Sequence, residues 1–304
     1  MTTIRGHIIE LTPNNTQATH LKKACGVARF AYNWALGQWK KQYEQDKNYR
    51  DECQAKGITI DENRLNKPSQ GKLRKQLNAI KREKYPFMLE VTKCSPQLAI
   101  MQLGDAFKCF FKGESKYPQF RKKGVNDRFS LSNDQFKLKS KNNKPHIQIP
   151  NLGLIRMREN LRHQGKILSA KVFTKGGKWF VSIAVELSET TKPLPKTNKS
   201  VGIDLGITSL ATLSDSTKIQ APKPLKNKLK KLQRLSKSLS RKQKGSNNRE
   251  KAKTKLSRLH DKISCIRKDF THKLTTQLVK SYDVICIENL NVKGMVKNRK
   301  LARS

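Results

Sequence analysis

The sequence has no C-x-x-C pair, although it contains six cysteines. A disulfide framework or a structural zinc site needs cysteines in pairs or tight clusters, so their scatter argues against both. The six histidines show no metal-ligand spacing either. We therefore expect no zinc in this chain, and small thiols in a reducing compartment at Cys25, Cys53, Cys94, Cys109, Cys265 and Cys286.

Long apolar runs are also missing. No segment approaches the ~18 consecutive apolar residues that a membrane-spanning helix requires. Residues 1–15, MTTIRGHIIELTPNN, lack the apolar core of a secretory signal peptide. We therefore expect a cytoplasmic, nucleoid-associated protein with no membrane partner.

Acidic residues are scarce: 23 Asp and Glu stand against 65 Lys and Arg, which gives a formal net charge of +42. So basic a surface repels itself unless a polyanion neutralises it. Nucleic acid is the leading partner, because binding releases the counterions condensed on its phosphates. An anionic membrane surface is the alternative, and the missing apolar runs weigh against it.

The N-terminal part predicts one strand followed by a helical module over residues 16–112. The strand is IRGHIIEL, residues 4–11. Apolar residues then recur at spacings of three and four in three segments, which is the pattern of one helix face. The first predicted helix starts at Thr16 and frays near residue 46, the second covers Ser69–Lys84, and the third covers residues 96–112.

From Tyr117 the pattern changes to short alternating strands, at residues 129–132, 136–140, 146–150 and 154–158. A hairpin follows, with Gly176-Gly177 in its turn. Residues 117–188 therefore predict a twisted antiparallel sheet or a small barrel, and the sequence leaves open whether the first strand joins it. Residues 188–200 have the composition of a linker.

The last part combines short strands with two long helices. VGIDLG and ITSLATLSD predict two strands, with a third reaching Ile219. Two leucine-striped helices follow, joined by a turn at residues 244–248, and a strand at 282–287 ends in Glu288. Residues 221–280 carry 20 Lys or Arg and three acids, so the helix faces are either solvated or nucleic-acid-facing.

Two carboxylates stand out in this last part. Asp204 lies inside an apolar strand, where an ionised side chain is costly unless a cation neutralises it. Gly202 and Gly206 leave the backbone open to a bulky ligand such as a phosphodiester. In a ribonuclease H topology the first and fourth strands are neighbours, which would bring Glu288 to Asp204 and let them hold Mg²⁺. The alternative is a turn-forming Asp204 and a helix-starting Glu288.

The motifs together resemble the TnpB (OrfB) family of insertion-sequence RNA-guided DNA endonucleases, which are related to type V CRISPR effectors. The resemblance covers essentially the whole chain. It is carried by RGHIIELTPNNTQ, ARFAYNWAL, YPQFRKKG, IPNLGLIRMR, VGIDLGI, the basic segment LSKSLSRKQKGSNNREKAKTKLSRLHDKI, DFTHKLTTQLV and IENLNVKGMVKNRKLARS. Any one of these motifs alone would be weak.

This resemblance implies an α+β multidomain chain. It would have a wedge strand at 1–15, a helical recognition domain at 16–116, an oligonucleotide-binding-like wedge β-barrel at 117–197 and a RuvC (ribonuclease H-like) nuclease domain at 198–304. Asp204 and Glu288 fall on the family's first and second catalytic, Mg²⁺-binding carboxylates. The implied partners are a guide RNA from the transposon end and a double-stranded DNA target.

Basic and aromatic residues are the candidate nucleic-acid contacts. Arg121, Lys122 and Lys123 follow Phe120 in a loop-like stretch, which suits backbone contact and stacking. Tyr32 and Asn33 lie on the first helix, where core packing is the alternative. The C-terminal candidates are Arg234, Arg241, Lys242, Lys244, Lys255, Arg258, Lys297 and Arg299.

The family pattern continues beyond these motifs with a zinc ribbon of two C-x-x-C pairs and a third catalytic Asp, and this sequence has neither. We therefore expect a C-terminally truncated chain with an incomplete RuvC-like domain and an incomplete two-metal site. The alternative function is a catalytically inactive RNA-guided DNA-binding protein or repressor. A third hypothesis, a ribosomal or RNA-packaging protein, fits the charge but not VGIDLG and IENL. The oligomeric state stays open.

Overall fold

The computed structural model describes residues 3–187, 195–206 and 208–297. The chain divides into two compact units, residues 1–190 and 191–304. Both units combine helices with strands, so the predicted α+β class is confirmed. Most of the predicted linker, residues 188–194, lies outside the described residues.

Three helices form one part of the first unit: α1 (Asn15–Ala55), α2 (Gln70–Lys84) and α3 (Cys94–Phe111). Asn14 begins α1 with a capping box, in which its side chain accepts a hydrogen bond from the Gln17 N–H at 2.8 Å. The predicted fraying near residue 46 is wrong, because α1 continues to Ala55. Asp46 is buried there, and its carboxylate accepts hydrogen bonds from the backbone N–H groups of Asn66 and Lys67.

A seven-stranded sheet forms the other part of this unit, in the order β2-β6-β7-β1-β5-β4-β3. All of its pairs are antiparallel. The N-terminal strand β1 lies in the middle of the sheet, which settles the question that the sequence left open. Among the described strands the order runs from β2 to β3 without closing, so the predicted antiparallel sheet is present and its closure into a barrel is not confirmed. Its strands are β1 (Ile4–Thr12), β2 (Arg128–Ser132), β3 (Lys137–Lys141), β4 (Lys144–Ile149), β5 (Gly153–Met157), β6 (Gly165–Lys175) and β7 (Lys178–Leu187).

The helices and the sheet share one hydrophobic core. Alternate residues of β7 point into it, as the period-2 pattern predicts, and Val181, Ile183 and Val185 are fully buried. Leu21 and Leu36 of α1 are buried in the same cluster. The predicted recognition and wedge segments are thus packed against each other in one unit.

The second unit has a four-stranded sheet in the order β10-β9-β8-β11. Its strands are β8 (Ser200–Asp204), β9 (Ala211–Leu213), β10 (Lys218–Ile219) and β11 (Val284–Ile287). The helices are α4 (Pro224–Ser240), α5 (Asn247–Ser281) and the short α6 (Val292–Lys297). The sheet's core is small, with Val201, Ile203, Ala211 and Leu213 buried.

Helices α4 and α5, with the turn at 241–246, form what we name the basic hairpin. Arg249 fixes this turn, since its Nη1 donates hydrogen bonds to the carbonyl oxygens of Leu239 at 2.9 Å and Lys242 at 2.6 Å. Leu239 is in the last turn of α4, where its carbonyl also accepts the Lys242 N–H at 3.2 Å, and Lys242 lies just beyond the helix. Ser246 begins α5 by accepting a hydrogen bond from the Arg249 N–H. None of the helices described is apolar over a length that would cross a bilayer.

Replacing Arg249 with Ala should destabilise the basic hairpin, because the terminal carbonyls of α4 lose their charged donor. The expected cost is about 2 kcal/mol, the size of hydrogen bonds to a charged group. Denaturant unfolding followed by circular dichroism measures it. Lys244→Ala is the matched control, since it removes an exposed cation from the same turn. Equal stability of the two variants would contradict the capping role.

The stability of the first unit should fall as the pH drops below about 6.5, the ordinary histidine pKa. Burial lowers the pKa of His7, and burial together with Lys23 lowers the pKa of His20. The unfolded chain therefore binds these protons more readily, so acid favours unfolding.

His7→Gln should flatten this dependence between pH 7 and pH 5, measured as the midpoint of chemical unfolding. The His7 Nδ1 accepts a hydrogen bond from the Arg162 N–H at 3.3 Å, and the Gln carbonyl oxygen can replace it as acceptor. The exposed His272 provides a control substitution in the other unit. An unchanged slope in His7→Gln would exclude His7 as the source.

Candidate functional site

Strands β8 and β11 lie side by side in the second unit, although some 80 residues separate them in the chain. They pair in parallel, with Val201 opposite Ile285 and Ile203 opposite Ile287. Asp204 is the last residue of β8 and Glu288 directly follows β11, one step beyond the last registered pair, and both line one open depression. Neighbouring strands are ~4.8 Å apart, and residues at the same level of a parallel pair point to the same face. The structure therefore brings the two predicted site residues together.

This face of the sheet is an open depression whose lining includes Asp204, Glu288, Thr212, Ser214 and Cys286. Thr212 pairs with Asp204 across the antiparallel β8–β9 ladder, and Glu288, directly after β11, lies at the end of this front row. Ser214, Gly202 and Cys286 form the row behind it. Thr212, Ser214 and Cys286 were not predicted from the sequence, because strand parity identifies them only after the strands are paired.

The sequence predicts a costly position for Asp204 inside an apolar strand, but its side chain is exposed. Val201 and Ile203 point into the small core, and alternation along β8 turns Asp204 the other way. Its ionised carboxylate therefore faces solvent and carries no burial cost. The predicted need for a neutralising cation does not arise from burial.

Gly202, in the row behind the carboxylates, keeps the depression open between Ser214 and Cys286. A methyl group placed there would lie 3.8 Å from the Ser214 Cβ, an ordinary contact, so packing within the protein does not require glycine. Gly206 differs, since a methyl group there would come within 3.0 Å of the Ser209 carbonyl oxygen. Local packing therefore accounts for Gly206 but not for Gly202.

Hydrogen bonds fix the strands that carry these side chains. Ser214 donates its backbone N–H to the Gly202 carbonyl at 2.9 Å and accepts the Gly202 N–H on its Oγ at 3.3 Å. Before β11, the Asp283 carboxylate accepts hydrogen bonds from the backbone N–H groups of Thr197 and Asn198 at 2.8 and 2.6 Å. This contact ties the chain that enters β8 to the chain that enters β11.

The donor set suits a hard cation only in part. Two carboxylates on adjacent strands, with a hydroxyl beside them, are the oxygen ligands that Mg²⁺ prefers when water and substrate phosphate complete the shell. Within the described residues, no group of three or more His, Cys, Asp and Glu could hold a metal ion. The pair therefore fits one Mg²⁺ more readily than a clamp of two.

The predicted C-terminal contacts are mostly on the surface of the basic hairpin. Its exposed members are Arg234, Arg241, Lys244, Lys255 and Arg258, whereas Lys242 is half-buried. Lys297 is exposed in α6, and Arg299 lies outside the described residues. On α5 the predicted stripe turns inward at Leu259 and Ile263, which are buried, whereas Leu229 of the α4 stripe is 38% exposed.

In the first unit, the predicted contacts divide into two groups. Lys122 and Lys123 are exposed. Tyr32 is only 6% exposed, because the Arg121 guanidinium lies 3.7 Å from its ring centroid. Asn33 exchanges two hydrogen bonds with the Arg121 backbone, at 2.8 and 2.9 Å. The structure thus favours the core-packing alternative for Tyr32 and Asn33.

Arg121 also points inward, contrary to its predicted role. Its Nη2 donates to the Gln102 Oε1 at 3.0 Å, and burial lowers its pKa to about 10. Burial likewise raises the pKa of Tyr32. The stacked and hydrogen-bonded Arg121 joins the loop after residue 117 to α1 and α3, so its guanidinium is engaged within the protein.

Two family models match the chain. One, described as "Probable transposase" (OrfB of IS605), covers residues 182–299. The other, described as "Helix-turn-helix domain" of the same OrfB proteins, covers residues 1–48. In this structure the second segment consists of β1 and the first part of the single long helix α1.

Similar curated proteins align along nearly the whole chain. "Putative RNA-guided DNA endonuclease InsQ" of Escherichia coli (strain K12) is 33% identical over 95% of this chain and 67% of that protein. "Putative RNA-guided DNA endonuclease" of Streptomyces pristinaespiralis is 34% identical over 96% of this chain and 68% of that protein. The cryo-EM structure of the Cas12f1-sgRNA-target DNA complex aligns over 95% of this chain and 81% of that chain. The TM-score is 0.45 and the sequence identity is 12%. On the strength of the two sequence relatives, this chain belongs to the OrfB (TnpB) family of insertion-sequence proteins.

Proposed function

We propose that this chain is an RNA-guided DNA-binding protein whose second unit hydrolyses DNA phosphodiesters with Mg²⁺. The observation that carries the proposal is the parallel pairing of β8 with β11, at whose end Asp204 and Glu288 line one open depression. Relatives named as RNA-guided DNA endonucleases support it. The +42 charge supplies the affinity for nucleic acid.

Asp204 and Glu288 would hold the Mg²⁺, with one carboxylate oxygen or more from each strand. The ion, when bound, supplies charge stabilisation at a phosphoryl oxygen and lowers the pKa of a coordinated water. The protein's share is to fix the two carboxylates on a hydrogen-bonded sheet, so that little reorganisation accompanies binding. The Thr212 hydroxyl, in the same row, can donate a hydrogen bond to a carboxylate or to a phosphate oxygen.

Gly202 would admit the sugar–phosphate backbone to this row. The absent side chain leaves room between Ser214 and Cys286, directly behind the carboxylates. Exposed cations of the basic hairpin would contact flanking phosphates in the same unit, because the hairpin carries very few acids to neutralise them. The basic hairpin would thereby position the DNA, and the two carboxylates would hold the ion that stabilises charge on the phosphate, both within the second unit.

We assign the remaining segments by their resemblance to the family. The sheet at 117–187, with β1, would act as the oligonucleotide-binding-like wedge that contacts a guide RNA. The helical module at 16–116 would act as the recognition domain for a double-stranded DNA target. Residues 198–304 would be the RuvC-like domain. The exposed Lys122 and Lys123 support a nucleic-acid contact on the first unit.

The second candidate function is RNA-guided DNA binding without cleavage. It is favoured by the donor set, since the described residues bring together two carboxylates and no group of three ligand side chains. Both functions predict binding, and only catalysis separates them.

Asp204→Asn and Glu288→Gln should each abolish Mg²⁺-dependent cleavage of target DNA by the RNA-loaded chain. A loss of ~100-fold or more is expected, because a missing ligand removes several kcal/mol of charge stabilisation. Single-turnover cleavage of a labelled duplex measures it, with EDTA as the metal-free arm. Asp269→Asn is the matched control, an exposed acid on α5 that forms an ion pair with Lys273. Absence of cleavage by the unsubstituted chain, with binding retained, would select the second candidate function.

Lys244→Gln and Lys255→Gln should weaken nucleic-acid binding, because both side chains are exposed on the basic hairpin. Each phosphate that the protein no longer neutralises should reduce the slope of log affinity against log salt by about 0.9 for duplex DNA. Fluorescence anisotropy between 50 and 300 mM salt gives the slope. Lys→Arg at the same positions keeps the charge and should keep the slope. A slope that does not change in the Gln variants would remove these two residues from the interface.

A further inference from the structure

Three aromatic side chains are exposed together on the helical side of the first unit. Tyr43 of α1 is 53% exposed, Phe111 at the end of α3 is 68% exposed, and Phe120 in the following loop is 50% exposed. Of these rings, Phe120 lies against the ammonium group of Lys40, and we name the three rings with Lys40 the aromatic platform. Large rings are rarely left in water as a group without a binding role.

The platform is anchored to the core by a column of rings. Trp39 stacks on the buried Phe107, with centroids 4.1 Å apart and an interplanar angle of 13°. Phe111 continues the column, with its centroid 6.0 Å from that of Phe107 and an angle of 23°. The exposed ring of Phe111 is therefore the outer end of a stack that begins inside the protein. A ring held in this way loses little conformational freedom when a flat ligand is added.

Lys40 lies against two rings, those of Tyr117 and Phe120. Its Nζ is 5.4 Å from the centroid of Tyr117 and 5.2 Å from that of Phe120, within the range of cation–π attraction. Tyr117 in turn contacts Phe107 and Phe110 edge-on. Tyr43 follows Lys40 by three residues on α1, so the two side chains share one face of that helix.

The surroundings of the platform are mostly cationic. Exposed lysines flank Phe111 and Phe120 in the sequence, at Lys112, Lys116, Lys122 and Lys123. The exposed acids in the same segments are Glu44 and Glu114. Flat rings beside ammonium groups suit a polyanion that presents flat bases, since bases stack on the rings and phosphates pair with the lysines. The centre of a protein–protein interface, in contrast, is depleted of lysine.

We infer that the aromatic platform binds unpaired bases of RNA by stacking. The inference rests on the proposed function, because it names the role of one surface of a nucleic-acid-binding chain. Of the two proposed partners, duplex DNA has its bases stacked inside the helix, whereas folded RNA presents loops and ends with unstacked bases. RNA is therefore the partner whose bases reach exposed rings without strand separation.

The test compares two labelled RNAs of equal charge, a single strand and a blunt duplex, on the RNA-free full chain. Phe111→Ala and Phe120→Ala should each weaken binding of the single strand about tenfold, the usual size of one base–ring stack. The same variants should change binding of the duplex less than about twofold, because its bases are already stacked. Phe111→Trp should restore the affinity that Phe111→Ala loses.

Phe87→Ala is the matched control. Phe87 is also an exposed phenylalanine of the first unit, but its ring contacts Phe30 and Tyr85 and lies outside the platform. Its replacement should leave both RNAs bound as before. Melting curves of every variant confirm that differences in binding do not reflect unfolding.

Equal losses for the single strand and the duplex would overturn the inference, and so would a loss in Phe87→Ala as large as that in Phe111→Ala. Light scattering provides the remaining arm: a dimer that Phe111→Ala dissociates, with RNA binding unchanged, would make the platform a contact between two copies of the chain. Failure of the unsubstituted chain to bind either RNA would instead remove the RNA-binding part of the proposed function. The two failures are therefore distinguishable.

Discussion

Four residue pairs between β8 and β11 hold the second unit's site together. Neither strand is anchored by a large core, since four residues of this sheet are buried and Ile287 is 65% exposed. The backbone ladder and the Asp283 contact to residues 197 and 198 therefore maintain the register. A shift by one residue would turn Glu288 to the opposite face from Asp204. The chemistry proposed for the site depends on that register.

Some cations of this chain are engaged within the protein, and others are exposed on its surface. Arg29, Arg121 and Arg249 are engaged within the protein, by an ion pair with Asp127 at 3.0 Å, by stacking on Tyr32, and by capping α4. A planar guanidinium suits such fixed, multiply bonded positions. Lys122, Lys123 and Lys244 are exposed and face solvent, as are Arg234 and Arg241, whereas the hairpin's Lys253 and Lys273 form ion pairs with Glu250 and Asp269. Net charge alone therefore overstates the number of cations that can face nucleic acid.

Periodicity in the sequence predicted most elements, because the helix stripes and the alternation of β7 record which side faces the core. It also paired Asp204 with Glu288 through the topology that the strand order implied. The length of α1 was missed, because it depends on the contact of Asp46 with a loop some 20 residues away. The inward turn of Arg121 and the exposure of Phe111 were missed for the same reason, since neighbours in space decide them.

The uninterrupted length of α5 has a mechanical consequence. Its 35 residues rise about 1.5 Å each, so the helix is a rod of about 50 Å. One end carries the turn that Arg249 closes, and the other passes through Tyr282 and Asp283 into the strand that precedes Glu288. A small tilt of such a lever arm at its base displaces its far end by several ångströms. Conversely, a force on the turn at 241–246 would act through α5 on β11, the strand that ends just before Glu288.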